Sequence, residues 1–383
     1  MQPRSARITG WGFFAPERVL TNADFEGLVE TSDEWIRTRT GIRERRVAGP
    51  HESTATLAAV AARRALAVAG LAPDAIDAIL VATVTGDFQF PSTAALVKGA
   101  VGASRAAAMD LGAACSGFIY AYTAAHAYIT SGMWRNVLVV GAEVLSRFVD
   151  YADRGTCVLF GDGAGAVVVS ATDEQGGGLL GFELTTDPDG AYSLWVPAGG
   201  ACNPTTGSSL EGRGHLLRMD GRETYRYATR TMASSALTAI QRAGLTPDDI
   251  SLFVPHQANI RIIESVAKTL GLPEERVYVN VDRYGNTSAA SVPIALAEAV
   301  GEGRVRPGDR IVAVAFGAGF TSAAAVIEWT ADPALGQRAR AVGPAVALHR
   351  SPDWPDEDPT PVALRPIFAA KERAEQRQAE VPA

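Results

Sequence analysis

The chain has 383 residues, enough for two ordinary domains or one large duplicated one. Apolar residues make up 47% and glycine contributes 38 residues, which suits a large interior built from small side chains. A formal charge of −7 argues against nucleic acid as the main ligand, because neutralising phosphates takes a basic surface.

Three cysteines, Cys115, Cys157 and Cys202, form neither a CxxC pair nor a Cys/His cluster. Neither a metal site nor a disulfide framework is expected, which fits a reducing cytoplasm. The first residues lead into a strand pattern without a signal-peptide core, and no apolar run reaches the ~18–20 residues of a membrane helix. The expectation is a soluble cytoplasmic protein that binds no membrane.

In chain order, strand patterns are expected over 8–13, 79–84, 107–111, 136–140 and 166–170, then at 252–254 and 310–315. Several are unbroken apolar runs, as in a sheet covered on both faces. Helices are expected over 54–68, 116–131, 224–242, 259–270 and 287–301. An internal repeat organises them. Ala69-Gly-Leu-Ala-Pro-Asp-Ala-Ile returns as Ala243-Gly-Leu-Thr-Pro-Asp-Asp-Ile, each time after an Ala-rich helix that its Gly caps and before a strand. Phe160-Gly-Asp-Gly-Ala-Gly-Ala finds an echo in Phe316-Gly-Ala-Gly-Phe. So long a period implies two copies of one α/β half rather than a solenoid. The expected divisions are 1–173, 174–330 and a tail over 331–383. Within the tail, 345–366 reads as extended and solvated, and 368–380 as a short surface helix.

Cys115 lies in Leu111-Gly-Ala-Ala-Cys-Ser-Gly-Phe, between a strand and a helix. A thiol at a helix N-terminus is favoured as thiolate; a small buried cysteine filling an Ala/Gly corner gives the same pattern. His256, in Val254-Pro-His-Gln-Ala-Asn, follows a strand at the end where open α/β sheets place working groups. A hydrogen-bonded core histidine fits equally. Asn286, in Tyr284-Gly-Asn-Thr-Ser-Ala-Ala-Ser, reads as an ordinary turn and N-cap. The repeat alters that reading, because it puts Cys115 within three residues of Asn286's counterpart, so that both open equivalent helices. Phe316-Gly-Ala-Gly-Phe and Gly161-Asp-Gly-Ala-Gly lack the spacing of a dinucleotide fingerprint, so nucleotide-dependent redox chemistry is not expected.

These stretches, with Thr31-Ser-Asp-Glu-Trp-Ile-Arg-Thr-Arg-Thr-Gly-Ile-Arg and Asp153-Arg-Gly-Thr, resemble the β-ketoacyl-(acyl carrier protein) synthase III family over residues 6 to 330. The resemblance implies a thiolase-like α/β fold, five layers αβαβα from two duplicated halves, and a homodimer. It implies that Cys115 takes an acyl group from acyl-coenzyme A. His256 and Asn286 then support decarboxylation of malonyl-acyl carrier protein, and the resulting carbanion condenses with the acyl-enzyme. Both thioesters are substrates, and no cofactor is implied. An oxyanion hole is implied at the N–H groups of Cys115 and Ala318. Trp35 and Arg154 are implied to sandwich the adenine of coenzyme A, with Arg39 near its phosphates and Asn259 along the pantetheine tunnel. Phe90 is implied to line the acyl pocket from the neighbouring subunit, and Arg261 and Lys268 to receive the acidic carrier protein. The family's glycine triplet reads Gly317-Ala318-Gly319 here, which keeps its backbone donor only if Ala318 avoids a strained φ. The rival expectation is acyl transfer to an oxygen or nitrogen acceptor without decarboxylation.

Overall fold

The computed structural model describes residues 5–174, 176–346, 348 and 357–379. Strands β1 (Ser5–Phe14), β2 (Ala78–Ala82), β3 (Ala107–Leu111), β4 (Asn136–Val144) and β5 (Asp162–Thr172) form one sheet in the order β1-β5-β4-β2-β3. Strands β6 (Gly178–Thr186), β7 (Leu252–Pro255), β8 (Arg310–Gly317) and β9 (Thr321–Glu328) form another in the order β7-β8-β9-β6. Both sheets follow one plan. A parallel pair, β2 with β4 and β7 with β8, continues through two antiparallel pairings to an edge strand. β3 extends the first sheet in parallel, and a lone parallel bridge from Phe253 to Val277 stands at the matching edge of the second.

The helices used below are α1 (Asp33–Thr40), α2 (Thr54–Ala69), α3 (Thr93–Val101), α4 (Gly117–Thr130), α5 (Gly221–Arg242), α6 (Ile260–Leu270), α7 (Ser291–Gly301) and α8 (Arg365–Ala379). α4 and α7 lie between the sheets and touch both. Their sequences, Gly-Phe-Ile-Tyr-Ala-Tyr-Thr-Ala-Ala and Ser-Val-Pro-Ile-Ala-Leu-Ala, are apolar all round, as a helix enclosed on every side demands. α2 and α3 cover the outer face of the first sheet, and α5 and α6 that of the second. The result is the five-layer αβαβα arrangement.

Two glycines bring backbones together where the site forms. A Cβ on Gly141 of β4 would lie 2.2 Å from the Ala289 carbonyl oxygen, and one on Gly317 of β8 would lie 2.6 Å from the Cys115 nitrogen. Only hydrogen in place of a side chain lets these segments touch.

The tail departs from expectation. Leu364 is fully buried, Phe368 and Thr360 nearly so, and α8 docks beside Leu20, Phe25 and Ile36 rather than lying on the surface alone. A short 3₁₀ stretch, Pro333–Ala341, precedes it. Residues 347 and 349–356 of the expected extended segment, and Glu380 of the expected helix, lie outside the described residues.

Candidate active site

The two central helices each begin with a tight corner, and two of the candidate residues, Cys115 and Asn286, lie at those corners. After β3 the chain passes through Ala114, at φ 47°, into a 3₁₀ turn (Ala114–Ser116) that carries Cys115 into α4. Cys115 is 6% exposed. His256 follows β7, its backbone N–H donating to the Val314 carbonyl at 2.7 Å. Its ring is buried, with Nδ1 2.6 Å from the Ser291 hydroxyl at the start of α7. Asn286 is pinned by backbone hydrogen bonds to Leu159 (2.8 Å) and from Gly161 (3.0 Å). Its Oδ1 accepts the Ser288 N–H at 2.8 Å, which leaves the amide nitrogen as the donor end.

Cys115, His256, Asn286 and Asn259 line one pocket with Phe160, Ile262 and Phe316. A larger cavity of about 590 Å³, between residues 50–56, 85–88 and the tail, contains none of these groups.

The electrostatics follow from burial. Desolvation pushes the Cys115 thiol up to about 12; a hydrogen bond from Ser288 and the residue's own N–H act against it, while Glu143 adds to it. The thiolate expected from a helix N-terminus alone is therefore outweighed by the loss of water. Burial pushes His256 down to about 3, so its ring is neutral at pH 7.

Trp35 and Arg39 lie on α1, and the guanidinium of Arg39 stands 4.6 Å from the Trp35 ring centre. Arg154 stands 4.8 Å from the same ring and donates to the Glu30 carbonyl at 2.9 Å. The expected sandwich residues thus touch each other, and a ring entering between them must part them. Asn259 caps α6 by accepting the Arg261 N–H (2.9 Å) and donates to the Arg39 carbonyl (3.0 Å), linking α6 to α1. Arg261 and Lys268 are exposed on α6, with Glu264 between them. Phe90 is 85% exposed and does not line its own chain's pocket. Ala318 has no positive φ; Gly319 takes that conformation at 126°. Its side chain therefore imposes no backbone strain on the glycine corner.

Sequence reasoning gave no role to four residues of this neighbourhood. Ser291 pairs with the His256 ring, Ser288 lies beside the Cys115 thiol, and Glu143 lies fully buried behind Ser288. Gln257 donates to the carbonyls of Pro255 (2.8 Å) and Tyr278 (3.1 Å) and accepts from Asn280 and Val281, fixing the loop that carries His256. A polar residue in an otherwise apolar strand, as at Glu143 in Val139-Val-Gly-Ala-Glu-Val, was the available signal.

Residues 109–188 and 240–329 match the two family models described as 3-oxoacyl-[acyl-carrier-protein] synthase III and its C-terminal part. A β-ketoacyl-[acyl-carrier-protein] synthase III of Roseiflexus sp. (strain RS-1) is 56% identical over 326 residues, 85% of this chain and 99% of the relative. The chain belongs to the β-ketoacyl-[acyl-carrier-protein] synthase III family. As a member of that family it is a condensing acyltransferase of fatty-acid biosynthesis with the thiolase fold. The crystal structure of the synthase III from Aquifex aeolicus VF5 superposes with a TM-score of 0.79 at 45% identity, covering 85% of this chain and 100% of that one. The priming β-ketosynthase of the R1128 polyketide pathway superposes with a TM-score of 0.80 at 38% identity, covering 86% and 98%. Among the described residues no helix is long and apolar enough to cross a membrane, and no group of three or more His, Cys, Asp or Glu is placed to hold a metal.

Proposed function

We propose that Cys115 is the residue acylated by acyl-coenzyme A, and that His256 and Asn286 form the site where malonyl-acyl carrier protein loses CO₂. The observation that carries this reading is the pairing of two neutral donors on one pocket. Asn286 has its oxygen engaged by Ser288 and offers its amide N–H groups. His256 is neutral, and its Nδ1 pairs with the Ser291 hydroxyl; in the tautomer in which Ser291 donates, Nε2 carries the proton and faces the substrate as a donor. Loss of CO₂ builds negative charge on the thioester oxygen, which two donors in a dry pocket stabilise. The carbanion then attacks the Cys115 thioester, and the N–H groups of Cys115 and Ala318 receive the tetrahedral oxyanion. The product is a 3-oxoacyl-acyl carrier protein. No cofactor takes part.

Coenzyme A binds along Asn259, with its adenine between Trp35 and Arg154 and its phosphates at Arg39. The carrier protein docks on Arg261 and Lys268, whose spacing of seven residues sets both on one face of α6. The enzyme works in the cytoplasm as a homodimer. β3 is an edge strand whose residues 107, 109 and 110 are exposed, and an unpaired edge is a template for a second copy. The exposed Phe90 then enters the partner's acyl pocket. Within each subunit the halves divide at about 173, between β5 and β6, and 331–383 form the tail.

The test is intact-protein mass after incubation with acetyl-coenzyme A. One acyl adduct is expected on Cys115, absent in Cys115→Ala and discharged by malonyl-acyl carrier protein. An adduct elsewhere, or none, overturns the reading.

A further inference from the structure

Ser288 stands between Cys115 and Glu143, because the 3₁₀ turns that carry Cys115 and Ser288 pack against each other. The Ser288 hydroxyl donates to Glu143 Oε1 at 3.1 Å, which leaves its oxygen free to accept from the neighbouring thiol. Glu143 also accepts from the hydroxyls of Thr83 (3.2 Å) and Thr85 and from the Val84 N–H (3.2 Å). All these donors are neutral, and among the described residues no cation accompanies this fully buried carboxyl. Nothing in the proposed condensation uses it, and a carboxylate near a thiolate opposes it. Such a group is costly to keep without a task.

Acylation leaves a proton without a destination. The buried thiol must lose it, yet the proposed decarboxylation uses His256 as an Nε2–H donor, with its Nδ1 paired to Ser291 at 2.6 Å. We propose that Glu143 takes the Cys115 proton through Ser288 and holds it for the life of the acyl-enzyme. The thiol S–H bond breaks as its proton passes to Ser288 Oγ, and the proton already on that oxygen passes to Glu143. The thiolate attacks the acyl-coenzyme A carbonyl, and coenzyme A leaves as thiolate to be protonated by solvent. When the carbanion later expels the Cys115 sulfur, the same path in reverse returns the proton, and Glu143 ends as carboxylate. Cys115, Ser288 and Glu143 together carry one negative charge until the sulfur is acylated and none while Glu143 holds the proton, so no second charge is created in the dry interior. Burial pushes the Glu143 carboxyl up to about 7, which suits it to accept near neutrality. The other titratable groups on elements around it are engaged elsewhere. Asp87 accepts from the Ala55 N–H, Asp162 accepts from Ala48 and Ser146, and the His256 ring is paired with Ser291.

The proposal rests on Cys115 being the acylated residue, and the experiment separates the two. Glu143→Gln keeps the shape of the carboxyl but removes the proton acceptor. Alkylation of Cys115 by iodoacetamide at pH 7, read by peptide mass spectrometry with exposed Cys202 as internal reference, is expected to fall at least tenfold. Acylation by acetyl-coenzyme A is expected to fall in step, while CO₂ release from malonyl-acyl carrier protein stays within about threefold. A Glu143 that acts only through its charge predicts the opposite sign, a more reactive thiol, and that result overturns the proposal. Equal losses in acylation and CO₂ release, the mark of a structural role, overturn it too. If Glu143→Gln does not fold, Ser288→Ala cuts the same path and is read by the same outcomes. A wild type that forms no adduct on Cys115 removes the parent reading and this one with it.

Discussion

Ala114 and Ser288, 174 positions apart, hold the same left-handed backbone, with φ of 47° and 48°. Each starts a three-residue 3₁₀ turn that opens a central helix, α4 after Ala114 and α7 after Ser288. The repeat read from the two Gly-Leu-x-Pro-Asp turns has the same offset, Gly70 to Gly244. One corner presents Cys115; the other holds Ala289 in its place and contributes Ser288 to the thiol. A strained φ at two non-glycine residues, at the points where both halves bring their corners together, marks a feature that the surroundings enforce.

The Cys115 corner leaves no room for a side chain on Gly317. In Gly317→Ala the new Cβ would sit 2.6 Å from the Cys115 nitrogen and 3.0 Å from the Ala114 Cβ. The expected outcome is a loss of about 1–3 kcal/mol in urea denaturation, the usual cost of overpacking. Single-turnover acylation is expected to fall about tenfold or more.

His256 makes stability depend on pH with a defined sign. Its buried ring is neutral in the folded protein down to about pH 3, whereas the unfolded chain takes up the proton near pH 6.5. Between those values the unfolded state binds more protons, so acidification destabilises the fold by up to about 1.4 kcal/mol per pH unit. His256→Gln removes this dependence. Urea midpoints at pH 6.5 and pH 5 are expected to show wild type losing about 2 kcal/mol more than the variant.

The tail is held by a small apolar patch with ion pairs around it. The Arg18 guanidinium lies 4.9 Å from the Phe368 ring centre and 2.9 Å from Glu372, and Lys371 reaches Asp24 at 2.6 Å and the Val19 carbonyl at 2.9 Å. Phe368→Ala is expected to cost about 2–3 kcal/mol of local stability, from the apolar area lost, and to expose α8 to limited proteolysis. Lys371→Ala, removing a partly exposed pair, is expected to cost about 1 kcal/mol or less.

Reversing Arg261 and Lys268 to Glu is expected to raise the apparent KM for malonyl-acyl carrier protein while leaving acylation by acyl-coenzyme A nearly unchanged. The wild-type advantage is expected to shrink with added salt, since exposed charges are screened. Steady-state kinetics at two ionic strengths checks both.

Much of this arrangement is legible in the sequence because repeats and corners are local signals. The strand expected over 107–111 matches β3, and the helix over 116–131 differs from α4 by one residue at each end. What escaped depends on packing. The strand expected over 136–140 stops at Gly141, where glycine reads as a break; the fold instead uses Gly141 to slide β4 past Ala289 and carry on to Glu143. The rise of the Cys115 thiol likewise needs the closure of several elements around it, whereas only the helix start is visible in the residue order. In the tail, Leu364 and Phe368 lie in a short apolar run broken by Arg365 and Pro366, too short to announce a docked helix.

The central claim is a division of labour between Cys115 and the His256/Asn286 pair, and release of radiolabelled CO₂ from malonyl-acyl carrier protein tests it most directly. Decarboxylation needs no thiolate, so Cys115→Ala is expected to form no acyl adduct yet still release CO₂. Asn286→Ala is expected to acylate Cys115 and lose about 10²–10³ in CO₂ release, the usual cost of one oxyanion donor. His256→Ala is expected to lose at least as much. A wild type that acylates Cys115 but releases no CO₂ from the malonyl thioester would contradict the account and leave acyl transfer to another acceptor in its place.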